Sequence, residues 1–172
     1  MKIVSWNVNS IRSRKEYVGK FIDEVKPDVI CIQELKATSE QVPMDLFESR
    51  GYNTAIYGQT RWNGVLIASP HTIEAVHAGF DGEEGEDARM IKARIGGVSI
   101  VNLYCPQGQT QDSPKFQYKQ RFYRALIDWV SSNCDMDTPW VLTGDFNIAP
   151  EECDVWDVEQ FENVPTYHPI EH

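Results

Sequence analysis

Apolar and polar positions change period several times along the chain, and each change predicts an element. Residues 2–8 hold Ile3, Val4, Trp6 and Val8 in a short apolar run, a strand whose polar tip would present Asn7 and Asn9. A loop with Arg12 and Arg14 follows. Residues 16–25 then place Val18, Phe21, Ile22 and Val25 on one side of a helix, at the spacing of an amphipathic segment, and Pro27 ends it. Residues 28–33, DVICIQ, are rich in β-branched residues without a polar alternation, as in a strand covered on both faces. Three short strands are expected at 52–57, 64–68 and 72–76, divided by Gly, Asn and Pro and paired antiparallel. Residues 81–87 read as a solvated acidic loop, and 89–94 with 98–104 as a hairpin turning at Gly96-Gly97. The longest helix is expected at 115–132, with Phe122, Leu126, Trp129 and Val130 as its core stripe. Lys115, Lys119 and Arg121, near its start, are expected to be solvated. Trp140, Val141 and Leu142 form a last short strand, and residues 151–172 show no further clear element.

Several of these strands end on polar side chains suited to phosphate chemistry. Past Leu142, the turn-prone Gly144 delivers Asp145 and Asn147. Two residues apart, they share one face if the backbone stays extended. A carboxylate there can move a proton while an amide donates a hydrogen bond without adding charge; the competing reading is a plain Asp-Phe-Asn turn. Glu34, just beyond the buried strand and between Gln33 and Lys36, offers hard oxygens to a cation such as Mg²⁺, or else pairs with Lys36 on the surface. Tyr104 precedes a Pro-Gln-Gly turn and can hold a phosphate oxygen alongside Gln107, or pack at the rim of the core. Asn7, Glu34, Tyr104, Asp145 and Asn147 thus all sit just past strand ends, the edge at which sites assemble in α/β sheets.

Composition narrows the class. At 172 residues, 41% hydrophobic and 24% charged, the chain is expected to be one globular domain spanning 1–172. A net charge of −10 excludes an all-over basic surface but not a local basic groove. Cys31, Cys105, Cys134 and Cys153 form no close pair, so reduced, mostly packed thiols in a cytoplasmic protein are expected. No apolar run reaches the length of a membrane span, so no membrane partner is expected.

The segments SWNVNSIRSR, PDVICIQELK, GQTRWNGV, YCPQGQ, DSPKFQYK and GDFNIAPEECDVWD resemble the exonuclease III family of DNA-repair nucleases, within the endonuclease/exonuclease/phosphatase superfamily. The resemblance runs from residue 2 to about residue 157. It implies a four-layered α/β sandwich, two packed mixed β-sheets flanked by helices. It also implies Mg²⁺-dependent hydrolysis of phosphodiesters in double-stranded DNA, with Mn²⁺ as the alternative ion: incision at abasic sites and 3′-to-5′ removal of nucleotides from ends. Carried over motif by motif, Glu34 is the metal carboxylate with Asn7 beside it, and Tyr104 contacts the scissile phosphate with Gln107 close by. Asp145 handles the proton of the attacking water or leaving oxygen, Asn147 hydrogen-bonds the phosphate or the Asp, and Arg12 touches the DNA backbone.

The sequence departs from the family pattern in two ways. The family's later segments, with a second carboxylate and a terminal Ser-Asp-His motif, have no counterpart here, so the expectation is a truncated site with weak or no activity. Ser10, Leu35 and Asn63 also replace residues common in the family. Two alternatives follow: a catalytically inert nucleic-acid-binding relative, or another phosphoesterase of the superfamily.

Overall fold

The computed structural model describes residues 1–80, 87–135 and 137–171. All of the expected acidic loop except Asp87 lies outside the described residues, as does His172. Backbone contacts divide the chain into two compact units, Met1–Tyr104 with Asn133–Asp145, and Cys105–Ser132 with Phe146–His172.

The first unit holds two four-stranded mixed sheets. In one, β1 (Ile3–Asn7), β2 (Val29–Gln33), β3 (Asn53–Tyr57) and β4 (Val65–Ser69) lie in the order β1-β2-β4-β3. In the other, β5 (Glu74–Ala78), β6 (Met90–Ile95), β7 (Val98–Tyr104) and β8 (Trp140–Asp145) lie in sequence order. The pairs β1–β2 and β7–β8 are parallel and the rest antiparallel. The strand expected at 72–76 begins later and pairs with β6 rather than with β4; a hairpin rule reads sequence neighbours and cannot see a change of sheet.

Alternation along the central strands makes the layers. Ile30 and Ile32 of β2, with Leu66 and Ala68 of β4, pack in a cluster with Val18 and Ile22 of α1 (Lys15–Val25) and with Leu46 and Phe47 of α2 (Asp45–Glu48). The intervening Val29, Cys31, Val65 and Ile67 pack against Ile91, Ala93, Ile95 and Ile100 of the second sheet. A strand buried on both faces has no polar alternation, which is why β2 reads as a continuous apolar run. Burial pushes the Cys31 thiol up to about 12, so it behaves as a small hydrophobe. All four cysteines are free.

The second unit contains nearly all of α3 (Pro114–Asn133) and the short α4 (Val158–Phe161). Ser113 caps α3, its Oγ accepting from the Phe116 N–H at 3.1 Å, with Pro114 at the first helical position, where it needs no hydrogen bond. The segment after β8 is not structureless: two 3₁₀ turns, Glu152–Asp154 and Pro169–Glu171, flank α4. One expectation fails here. Lys119 is completely buried, its Nζ donating to the Asn147 carbonyl oxygen at 2.8 Å and ion-paired with Glu171. Among the described residues no helix is long and apolar enough to cross a membrane.

Candidate active site

Asn7, Glu34, Tyr104 and Asp145 come together at the strand ends of the first unit. Asn7 closes β1 and is in register with Gln33, the residue before Glu34. Tyr104 closes β7 and is in register with Asp145 at the end of β8. The Asn7 amide joins the two sheets: its Nδ2 donates to Glu34 Oε1 at 2.8 Å and to Asp145 Oδ2 at 2.8 Å. Its Oδ1 accepts the Asn9 N–H at 3.0 Å. Reversing the amide would aim an oxygen at two carboxylates and strand that N–H, so the orientation follows from the bonds.

Glu34 leaves β2 in the left-handed region, with φ 55°. A non-glycine residue is strained there. Main-chain bonds on both sides hold it: Ser10 N–H to Glu34 O at 2.8 Å, Ile11 N–H to Leu35 O at 3.2 Å, and Leu35 N–H to Gly64 O at 3.1 Å. The ion pair that the competing reading of Glu34 expects is present, with Lys36 Nζ 2.9 Å from Oε2. Partial burial pushes its carboxyl up, but hydrogen bonds from Asn7, Lys36 and Tyr104 outweigh burial and hold it below the ordinary glutamate value. Burial, the hydrogen bond to Glu34 and the Glu34 charge push the Tyr104 phenol well above its usual range. Tyr104 is therefore a hydrogen-bond donor here, not a phenolate.

Three supporting residues carried no sequence signal. Gln33 and Asn102 are buried between the sheets. Gln33 Nε2 donates to Asn102 Oδ1 at 2.6 Å, and Asn102 Nδ2 donates to the carbonyls of Ile32 and Leu66, each at 2.9 Å. This polar bridge under the site ties β2 to β7. Arg89 donates to the Tyr104 carbonyl at 3.0 Å and sets its guanidinium 4.9 Å from the Tyr104 ring centroid. An Asn or a Gln inside a strand, or an Arg just before one, looks from the sequence like a residue on a wet face; only the packing of the second sheet shows otherwise.

The remaining candidates make other contacts. Arg12 is exposed and donates to the Lys36 carbonyl at 3.2 Å. In the second unit, Gln107 Oε1 accepts the Gln109 N–H at 2.8 Å, and Asn147 donates through Nδ2 to the Cys105 carbonyl at 2.9 Å. Asn147 has φ 51°, so the extended backbone that would have put Asp145 and Asn147 on one face ends at β8.

The donor chemistry suits a small hard cation. Mg²⁺ takes one or two carboxylates and keeps several waters, and two carboxylates converge on one amide nitrogen. Among the described residues no three His, Cys, Asp or Glu side chains gather into an all-protein cage.

A model of the endonuclease/exonuclease/phosphatase family matches residues 4–161. Exodeoxyribonuclease III of Haemophilus influenzae is 30% identical over 162 residues, covering 90% of this chain and 60% of that protein. Among solved structures, an AP endonuclease from Archaeoglobus fulgidus is similar at 38% identity with a TM-score of 0.95, over 98% of this chain and 66% of that one. A 3′-5′ exonuclease from Neisseria meningitidis is similar at 35% identity with a TM-score of 0.96, over 99% and 67%. The chain spans about three fifths of the length of the Haemophilus relative.

Proposed function

Because the chain belongs to the endonuclease/exonuclease/phosphatase family, we propose that it is a DNA-repair nuclease of the exonuclease III type, hydrolysing phosphodiesters at abasic sites and 3′ ends of duplex DNA with Mg²⁺, or Mn²⁺, as cofactor. The observation that carries this reading is the Asn7 amide held between Glu34 and Asp145. It keeps two carboxylates of different sheets at one point without adding charge of its own.

Glu34, with Asn7 orienting it, would hold the metal, which when bound polarises the phosphoryl oxygen and steadies the departing oxyanion. Asp145 would accept a proton from an attacking water or return one to the leaving oxygen. Tyr104 keeps its phenol protonated and so can donate to a phosphate oxygen. Lys36 balances the Glu34 charge, and Arg12 is available to the DNA backbone. Gln107 and Asn147 are proposed as substrate donors on the strength of their motifs alone. The acidic chain as a whole repels a polyanion, so attraction has to be local, at the cations beside Glu34.

The test is incision of a labelled duplex carrying one abasic-site analogue by the purified chain, in Mg²⁺, in Mn²⁺ and in chelator. The expected result is weak, metal-dependent incision 5′ to the lesion, reduced roughly a hundredfold or more by Glu34→Gln. Incision that survives chelator, or that ignores Glu34→Gln, overturns the metal carboxylate. A folded chain that binds the duplex and never cuts it is the inert relative instead.

A further inference from the structure

We propose that Trp62 is a stacking platform for one nucleobase of the DNA bound at this site, an inference that rests on the DNA reading above. Trp62 is 67% exposed, an uncommon place for a ring that gains so much by burial. The loop that presents it is built, not loose. Both neighbours are non-glycine residues in the left-handed region, Arg61 at φ 67° and Asn63 at φ 59°, a conformation that persists only where the surroundings impose it.

Those surroundings are specific. Asn63 is 5% exposed, and its Nδ2 donates to Gln59 Oε1 at 2.9 Å. The same oxygen takes the Ala88 N–H at 2.9 Å, while Gln59 Nε2 reaches Asp87 at 3.2 Å. The loop is also fastened to the site itself. Lys36 N–H donates to the Asn63 carbonyl at 3.0 Å, next to the Leu35 to Gly64 bond. Lys36 Nζ sits 5.7 Å from the Trp62 ring centroid and 2.9 Å from Glu34. One lysine therefore spans the exposed ring and the proposed metal carboxylate, and Arg12 donates to that lysine's carbonyl.

An exposed indole with cations beside it is the pairing that holds a nucleotide: the ring takes the face of any base, and the cations take the phosphates that flank it. Because main-chain bonds from Leu35 and Lys36 fasten the Trp62 loop to the segment that carries Glu34, one base position should be read rather than many. Because every base has a π-face, the contact would choose position, not sequence.

The test is binding of the full chain, in chelator, to a hairpin duplex carrying one 2-aminopurine moved stepwise across the flanks of an abasic-site analogue. At one position the wild-type chain should quench the probe, Trp62→Phe should keep most of the quench, and Trp62→Ala should lose it with a Kd higher by about tenfold or more. Removing that one base should erase the difference between wild type and Trp62→Ala. A Trp62→Ala chain that binds every duplex within about twofold of wild type, or whose loss is the same with and without the base, overturns the stacking role while leaving the nuclease reading intact. A wild-type chain that binds no duplex overturns both.

Discussion

Glu34 shows how a single carboxylate is kept ionised in a half-buried place. Burial alone would raise its pKa, and the donors Asn7, Lys36 and Tyr104 reverse that sign. Because the folded value lies below the unfolded one, the charge contributes stability that is complete above the ordinary glutamate value of about 4.3. That contribution is lost as the pH falls through the lowered folded value. The stability difference between wild type and Glu34→Gln should hold constant from neutral pH to about pH 5 and shrink below about pH 4, as read by urea unfolding at stepped pH; a difference unchanged down to about pH 3 would contradict the network. At this scale much was legible. Asn7, Glu34, Tyr104 and Asp145 announce themselves as polar residues at the ends of apolar strands. The left-handed backbone of Glu34 does not, because bonds at positions 10, 11 and 64 impose it. Nor does Arg89 against Tyr104, since nothing near it in the sequence sets it apart.

At the scale of elements the decisive contact is between β7 and β8. Gly144 has φ 142°, and a Cβ there would come within 2.0 Å of the Leu103 carbonyl oxygen. Only glycine lets the strands approach closely enough to set Leu103 opposite Gly144 and Tyr104 opposite Asp145. Gly144→Ala should therefore cost about 3 kcal/mol or more, through strained backbone and overpacking together. Its remaining folded fraction should incise slowly, because the strand carrying Asp145 must shift. Denaturant midpoints and single-turnover rates check the two effects separately. The sequence marks Gly144 as turn-prone, whereas the structure places it inside the strand. The same residue type serves both purposes, and only the neighbour across the ladder distinguishes them.

At the scale of the whole molecule, burial reassigns charges that look alike in sequence. Lys119, one of several cations near the start of α3, ends fully buried against Glu171, whose Oε2 also accepts the Thr166 N–H at 2.8 Å. Removing one partner of such a pair leaves the other charge buried alone, so Lys119→Met should cost about 3–5 kcal/mol. The double change Lys119→Met with Glu171→Leu should recover most of it; denaturant unfolding of both variants decides, and a single variant as stable as wild type would show that the pair contributes nothing. The sequence by itself determined the two-sided strand β2, the amphipathic α1, the hairpin at Gly96-Gly97, the long α3 and the polar strand tips, because period and turn chemistry act over a few residues. The family resemblance in its motifs is likewise a property of local strings. Only the tertiary structure decided that the Asn7 amide joins Glu34 to Asp145, 138 residues beyond Asn7, that Gln33 and Asn102 bridge the sheets, that Lys119 is buried, and that Trp62 is not. Each of these depends on which distant strand or loop arrives opposite a residue, and no window along the chain contains that information.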